Sequence, residues 1–133
     1  MQKKHYPYDN LTPLFSDRRI DPQAVNQRVI KVVLFYQETF KLAEDETGTK
    51  LGFSKTQIHG IVAGKRIIPT SLVQLSYMTG ISTDYFLYGE NPESLKTFMN
   101  RTLDRLIENA ETYRSEILRK IEQDNQPAQP IQL

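Results

Sequence analysis

Glycine and proline spacing between Leu51 and Gly89 constrains this chain more than any other feature. Gly52, Gly60, Gly64, Pro69, Gly80 and Gly89 cut the stretch into short pieces. Gly52-Phe53-Ser54 reads as a tight turn followed by an N-cap, because a serine hydroxyl accepts a hydrogen bond from an orphan N–H of the first helical turn. Behind that cap, Phe53, Ile58, Ile61 and Val62 recur at spacings that put apolar groups on one face of a helix, leaving Lys55, Thr56 and His59 on the other. Gly64 stops this helix, Lys65 and Arg66 sit at its negative end, and Pro69 opens the next.

The same reasoning extends in both directions. Asp21-Pro22 is an N-cap followed by proline at the first helical position, and Val25, Val29, Val32, Val33, Tyr36 and Phe40 then mark an amphipathic helix to about residue 40. A second helix is expected over Leu42 to Leu51, with acids at its start where the helix dipole favours them. The third covers Ser54 to Ala63. The fourth covers Thr70 to Met78 and is expected to bury Leu72, Leu75 and Tyr77 or Met78. The fifth starts at Ser82 or Thr83 and buries Phe86 and Leu87. The expected architecture is all-α: five helices in residues 21–90, followed by one long C-terminal helix in 91–123.

That long helix follows Glu90-Asn91-Pro92 and runs from Glu93 to about Glu122 without glycine or proline. Met99, Leu103, Leu106, Ala110, Tyr113 and Ile117 alternate in steps of four and three, a heptad seam of the kind that pairs helices. About 30 residues at about 1.5 Å each make a rod about 45 Å long, longer than the domain it leaves. The stripe therefore needs cover from outside, most simply a second copy of the chain. A helix folded back on its own domain is the competing arrangement. Leu95, Phe98, Ile107, Leu118 and Ile121 lie off the seam and are the residues available to a protein partner.

Residues 1–20 form an N-terminal arm with Lys3, Lys4, Arg18 and Arg19, readable as a surface-draped segment or as a basic arm for DNA. Its Tyr6, Tyr8, Leu11, Leu14 and Phe15 argue for some packing onto the domain or a second subunit. Residues 124–133, rich in Gln, Pro and Asn, read as a disordered tail.

At 133 residues the chain is one domain with appendages. Its 17 basic and 16 acidic residues leave a net charge of +1, weak support for a nucleic-acid partner. The distribution favours one more. From Lys50 to Arg66 there are four cations (Lys50, Lys55, Lys65, Arg66), one histidine and no acid. With no cysteine, disulfides and thiolate metal sites are excluded, and no apolar run approaches a membrane span, so the cytoplasm is the expected location and no membrane partner is expected.

The ordered residues Gly52, Phe53, Ser54, Ile58, Gly64, Lys65, Arg66, Pro69 and Thr70, ending in Gly80-Ile81-Ser82-Thr83-Asp84-Tyr85-Phe86-Leu87-Tyr88-Gly89, carry a family likeness. The chain resembles the lambda-repressor-like (Cro/C1, XRE-type) helix-turn-helix DNA-binding domains over roughly half its length. Three departures accompany it. Thr47-Gly48 stands where the family often has Leu-Ala, Val62-Ala63 replaces an acidic residue, and Ile67-Ile68 lengthens the turn before Pro69.

The resemblance implies a dimeric transcriptional regulator, most simply a repressor of prokaryotic or phage type, binding double-stranded DNA at a palindromic operator. The helix at residues 54–63 would lie in the major groove. Lys55, Thr56, Gln57 and His59 are the expected base readers. Lys50, Ser54, Lys65 and Arg66 are the expected phosphate contacts, with Ser54 also read as a helix cap. No cofactor is implied.

Gly60 to Arg66 superficially suggests a phosphate-binding P-loop, but only three residues separate its glycines and arginine follows the lysine. His5 and His59 have no ligand-like spacing with acids, and no nucleophile elbow is present, so the chain does not read as an enzyme. The alternative function is a protein-interaction module, such as an antitoxin or adaptor, built on the same fold.

Overall fold

The computed structural model describes residues 19–125, which are helical throughout apart from their connecting turns. The first helix, α1 (Pro22–Thr39), starts where Asp21 accepts a hydrogen bond from the Gln23 N–H at 3.0 Å. Its buried Val25, Val29, Val32 and Val33 recur at three and four and make the floor of the core. Next come α2 (Glu44–Leu51) and α3 (Lys55–Val62), joined by Gly52, whose φ of 83° is a left-handed conformation that closes α2 in a single residue. Then follow α4 (Pro69–Thr79) and α5 (Thr83–Tyr88), and last α6 (Pro92–Asn125), a helix of 34 residues.

The core is one cluster. Val29, Val32 and Val33 of α1 meet Ile58 of α3, Leu75 of α4, Ile81 of the α4–α5 turn and Phe86 of α5, all at 1% exposure or less. Burial of side chains this size contributes about 1.5–3 kcal/mol each before the cost of ordering the chain.

Long-range polar contacts pin the connections between helices. Arg28 Nη1 on α1 donates to the Phe86 carbonyl at 3.1 Å, a cation placed on the last turn of α5 where the helix dipole is negative. The Asn26 side chain accepts from the Ile67 N–H at 3.0 Å and holds the long turn before Pro69. Ser94 at the head of α6 accepts from the Ser82 N–H at 3.0 Å, fixing where α6 departs from α5.

Several details differ from the sequence reading. Tyr77, expected in the core, is 82% exposed, and Met78 is 43% exposed; α4 turns Ser71, Leu72 and Leu75 inward instead. Phe98 is not left for a partner. It is buried in the core, edge-on to Phe35 and stacked with Tyr36 at centroid distances of 6.1 and 6.4 Å. Met99, assigned to the pairing seam, packs against the core together with Leu95.

The base of α6 therefore does fold back onto its own domain. Beyond Thr102 no residue of α6 is buried, and every residue from Leu103 to Asn125 is exposed. Asp124 and Asn125 are helical, so α6 outruns its expected end. The arm residues before position 19 and the tail after 125 lie outside the described residues, and with them the readings made of Lys3, Lys4, Arg18 and the arm's aromatic residues. No helix among the described residues is long and apolar enough to cross a membrane.

Candidate nucleic-acid interface

The first turn of α3 is built around a reciprocal cap. The Ser54 hydroxyl accepts from the Gln57 N–H at 3.1 Å, and the Gln57 side-chain oxygen accepts from the Ser54 N–H at 2.9 Å. Two orphan donors are thus satisfied by two side chains. Ser54 is an N-cap by geometry, and Gln57, expected among the base readers, is held by the cap.

One turn further, Ile58 and Ile61 anchor α3 in the core. They leave Lys55, Thr56 and His59 exposed on the opposite side. Lys55 and His59 are four residues apart and so share one face of the helix.

The approach of α2 to α3 depends on Gly48. A Cβ there would stand 2.8 Å from Ile58 Cγ2 and 3.3 Å from the Phe53 carbonyl, closer than packed atoms tolerate. Where an alanine would hold the helices apart, glycine lets α2 lie against the buried side of α3.

That closeness brings two acids to the outward face of α3. Lys55 Nζ lies 3.5 Å from Asp45 Oδ2, and His59 Nδ1 lies 3.3 Å from Glu44 Oε1. Glu44 and Asp45 belong to the first turn of α2, where they also complement its dipole. The run from Lys50 to Arg66 is acid-free in sequence, yet its outward face is charge-balanced in space. This pairing was not foreseen from sequence. The available signal was the acidic start of the preceding helix, which a tight two-helix turn brings beside the outward face of its successor.

The remaining cations do not converge on Lys55. Lys50 borders the groove between α1 and α6, beside Tyr36, Phe40 and Arg105. Arg66 borders a different, mainly apolar groove whose lining includes Ile20, Pro22, Ile67, Pro69 and Val73. Only Lys65 returns to α3, its aliphatic stem resting near Gly60. The structure joins Lys55, Thr56 and His59 on one face and spreads Lys50, Lys65 and Arg66 around it.

Among the described residues no three His, Asp or Glu side chains are grouped to hold a metal ion. No family model, curated protein or solved structure matches the chain.

Proposed function

We propose that this chain is a sequence-specific, double-stranded DNA-binding regulator of the lambda-repressor-like helix-turn-helix class. In this reading α2 and α3 form the helix-turn-helix, and α3 enters the major groove with its first turn toward the bases. The observation that carries the reading is the exposed face of Lys55, Thr56 and His59 on a short helix whose other side is locked into the core by Ile58 and Ile61. Such a helix offers rigid side chains to a groove, and lysine and threonine are residues that reach guanine acceptors and the thymine methyl. Repression by blocking a promoter is the simplest activity for a chain with one DNA-binding unit and a pairing helix.

Asp45 and Glu44 fit this reading as competitors. Asp45 must give up Lys55 and Glu44 its contact with His59 when DNA arrives, so phosphate attraction alone gains little and correct base contacts decide binding. The charge-balanced face is also the observation that favours the second reading, an interaction module such as an antitoxin or adaptor, in which the α3 face or α6 holds a protein. The test is titration of an isotope-labelled chain with a mixed-sequence duplex, followed by amide shifts. DNA binding through α3 predicts that residues 54–60 move first. Unchanged amides at low salt, or changes confined to α6, contradict it.

A further inference from the structure

The exposed length of α6 carries a stripe that its own domain does not use. At about 100° per residue, Leu103, Leu106, Ile107, Ala110, Tyr113, Ile117, Leu118 and Ile121 fall within an arc of about 140°. The seven large side chains in it are 37–65% exposed. The face that meets the domain at the base of α6 is a neighbouring one, marked by the buried Phe98 and Thr102. Continued outward, that domain-facing side carries Arg105, Asn109, Thr112 and Glu116. The apolar stripe is therefore rotated away from the domain, and folding back cannot cover it.

We infer that a second copy of this chain covers it, with the two α6 helices running antiparallel about a dyad between Glu111 and Thr112. An isologous pair requires that whatever residue i meets, it also presents. In the antiparallel register Ala110 faces Tyr113 of the second copy, Leu106 faces Ile117, and Leu103 lies beside Ile121. Small meets large at the centre, as a close-packed layer needs. The parallel register instead sets Ala110 on Ala110 and leaves a gap at the centre of the seam.

Charge agrees with a self-partner. From Arg101 to Asp124 the helix carries five cations and six acids, interspersed. A foreign partner of one sign has nothing to select there. In the antiparallel register, Glu111 falls on the same flank as Arg114 of the second copy, opposite charges at the edge of the stripe. Covering the stripe removes roughly 600 Å² on each copy, near the total of about 1,200 Å² at which specific interfaces become stable.

The pairing does not depend on DNA binding, but it has a consequence for it. The level of Phe98 in the two copies is separated by about 27 residues of helix, or about 40 Å along the pair. Two helix-turn-helix units held that far apart are close to the spacing of half-sites one turn apart, about 34–36 Å.

Because the chain has no cysteine, single substitutions report the register directly. The full chain is first weighed in solution without DNA, and a mass twice the 15.5 kDa of one chain is expected. Leu103→Cys and Ile121→Cys variants are then oxidised separately and as a mixture. Antiparallel pairing gives a disulfide-linked dimer only in the mixture. Cross-linking of each variant alone overturns the register, and a monomer mass at the highest soluble concentration overturns the pairing. Leu106→Asp, at an exposed position, is expected to halve the mass while the far-ultraviolet signal of the domain persists. A chain that pairs this way yet selects no DNA sequence would sink the DNA-binding proposal and leave this one standing.

Discussion

Gly48 of α2 and Ile58 of α3 meet at a distance that admits no side chain on the glycine: a Cβ at Gly48 would lie 2.8 Å from Ile58 Cγ2 and 2.9 Å from Ile58 Cβ. Ile58 is fully buried, so it cannot retreat without disturbing Val32, Leu75 and Phe86 in the same cluster. Gly48→Ala is expected to destabilise the chain by about 1–3 kcal/mol in spite of alanine's better helix propensity. Gly60 is a contrast within the partner helix. Its added Cβ would find only Lys65 Cδ at 3.6 Å, an ordinary contact. Gly60→Ala is expected to stabilise by about 0.5–1 kcal/mol. Urea melts of both variants give the two signs directly, and equal signs would contradict the close approach.

The cap of α3 couples fold to site. Ser54→Ala removes the acceptor for the Gln57 N–H and leaves only the reciprocal bond from the backbone N–H of residue 54 to the Gln57 side-chain oxygen. A loss of about 1 kcal/mol in stability is expected, measured by chemical denaturation. Because the first turn also orients Lys55 and Thr56, selectivity between DNA sequences should fall together with stability.

Phe98 should behave as a core residue and not as part of a detachable helix. Its ring is 7% exposed and touches Phe35 and Tyr36. Phe98→Ala is expected to cost about 3–5 kcal/mol and to lower the thermal midpoint of the whole domain. If α6 merely leaned on the surface, the midpoint would hardly move.

Asp45 and Glu44 should act as a brake on unspecific binding. Asp45→Asn combined with Glu44→Gln releases Lys55 and His59 from their carboxylates. Affinity for random duplex should rise a few-fold at low salt, and the advantage should fade as salt screens these exposed charges. Fluorescence anisotropy across a salt series reads both effects. Unchanged random-sequence affinity would mean that these acids do not face DNA.

Lys55 and Arg66 should separate in kind. Lys55→Ala is expected to cost about 1–3 kcal/mol on a preferred site and to relax one base pair, since the proposal sets this lysine, at the start of α3, against a base edge. Arg66→Ala should weaken every sequence alike and lower the salt slope by about 1. Equal losses on preferred and random DNA for Lys55→Ala would remove it from the readers.

Much of this fold was legible because its boundaries are written in local chemistry. Asp21-Pro22, Ser54, Pro69 and Ser82 start helices, and Gly52, Gly80 and Gly89 end them; each acts on its immediate neighbours, so no tertiary knowledge is needed. Tyr77 and Phe98 were misplaced for the opposite reason. Periodicity says that residues share a face, but which face the rest of the chain covers is settled only by packing. The Glu44–His59 pair spans 15 residues and exists because Gly48 lets two helices close up. The exit of α6 is fixed by the hydrogen bond between Ser82 and Ser94 and by Phe98 in the core, which no pattern in either segment announces.

The central claim, that α3 reads DNA sequence, is tested most directly by selecting the full chain's targets from a random pool of duplexes at about 150 mM salt, where unspecific phosphate attraction is weakened. The account predicts enrichment of an approximate palindrome, its half-sites about one helical turn apart, and relaxation of one base pair in each half-site in Lys55→Ala. A retained pool with no common sequence, identical for the wild-type chain and Lys55→Ala, would contradict it.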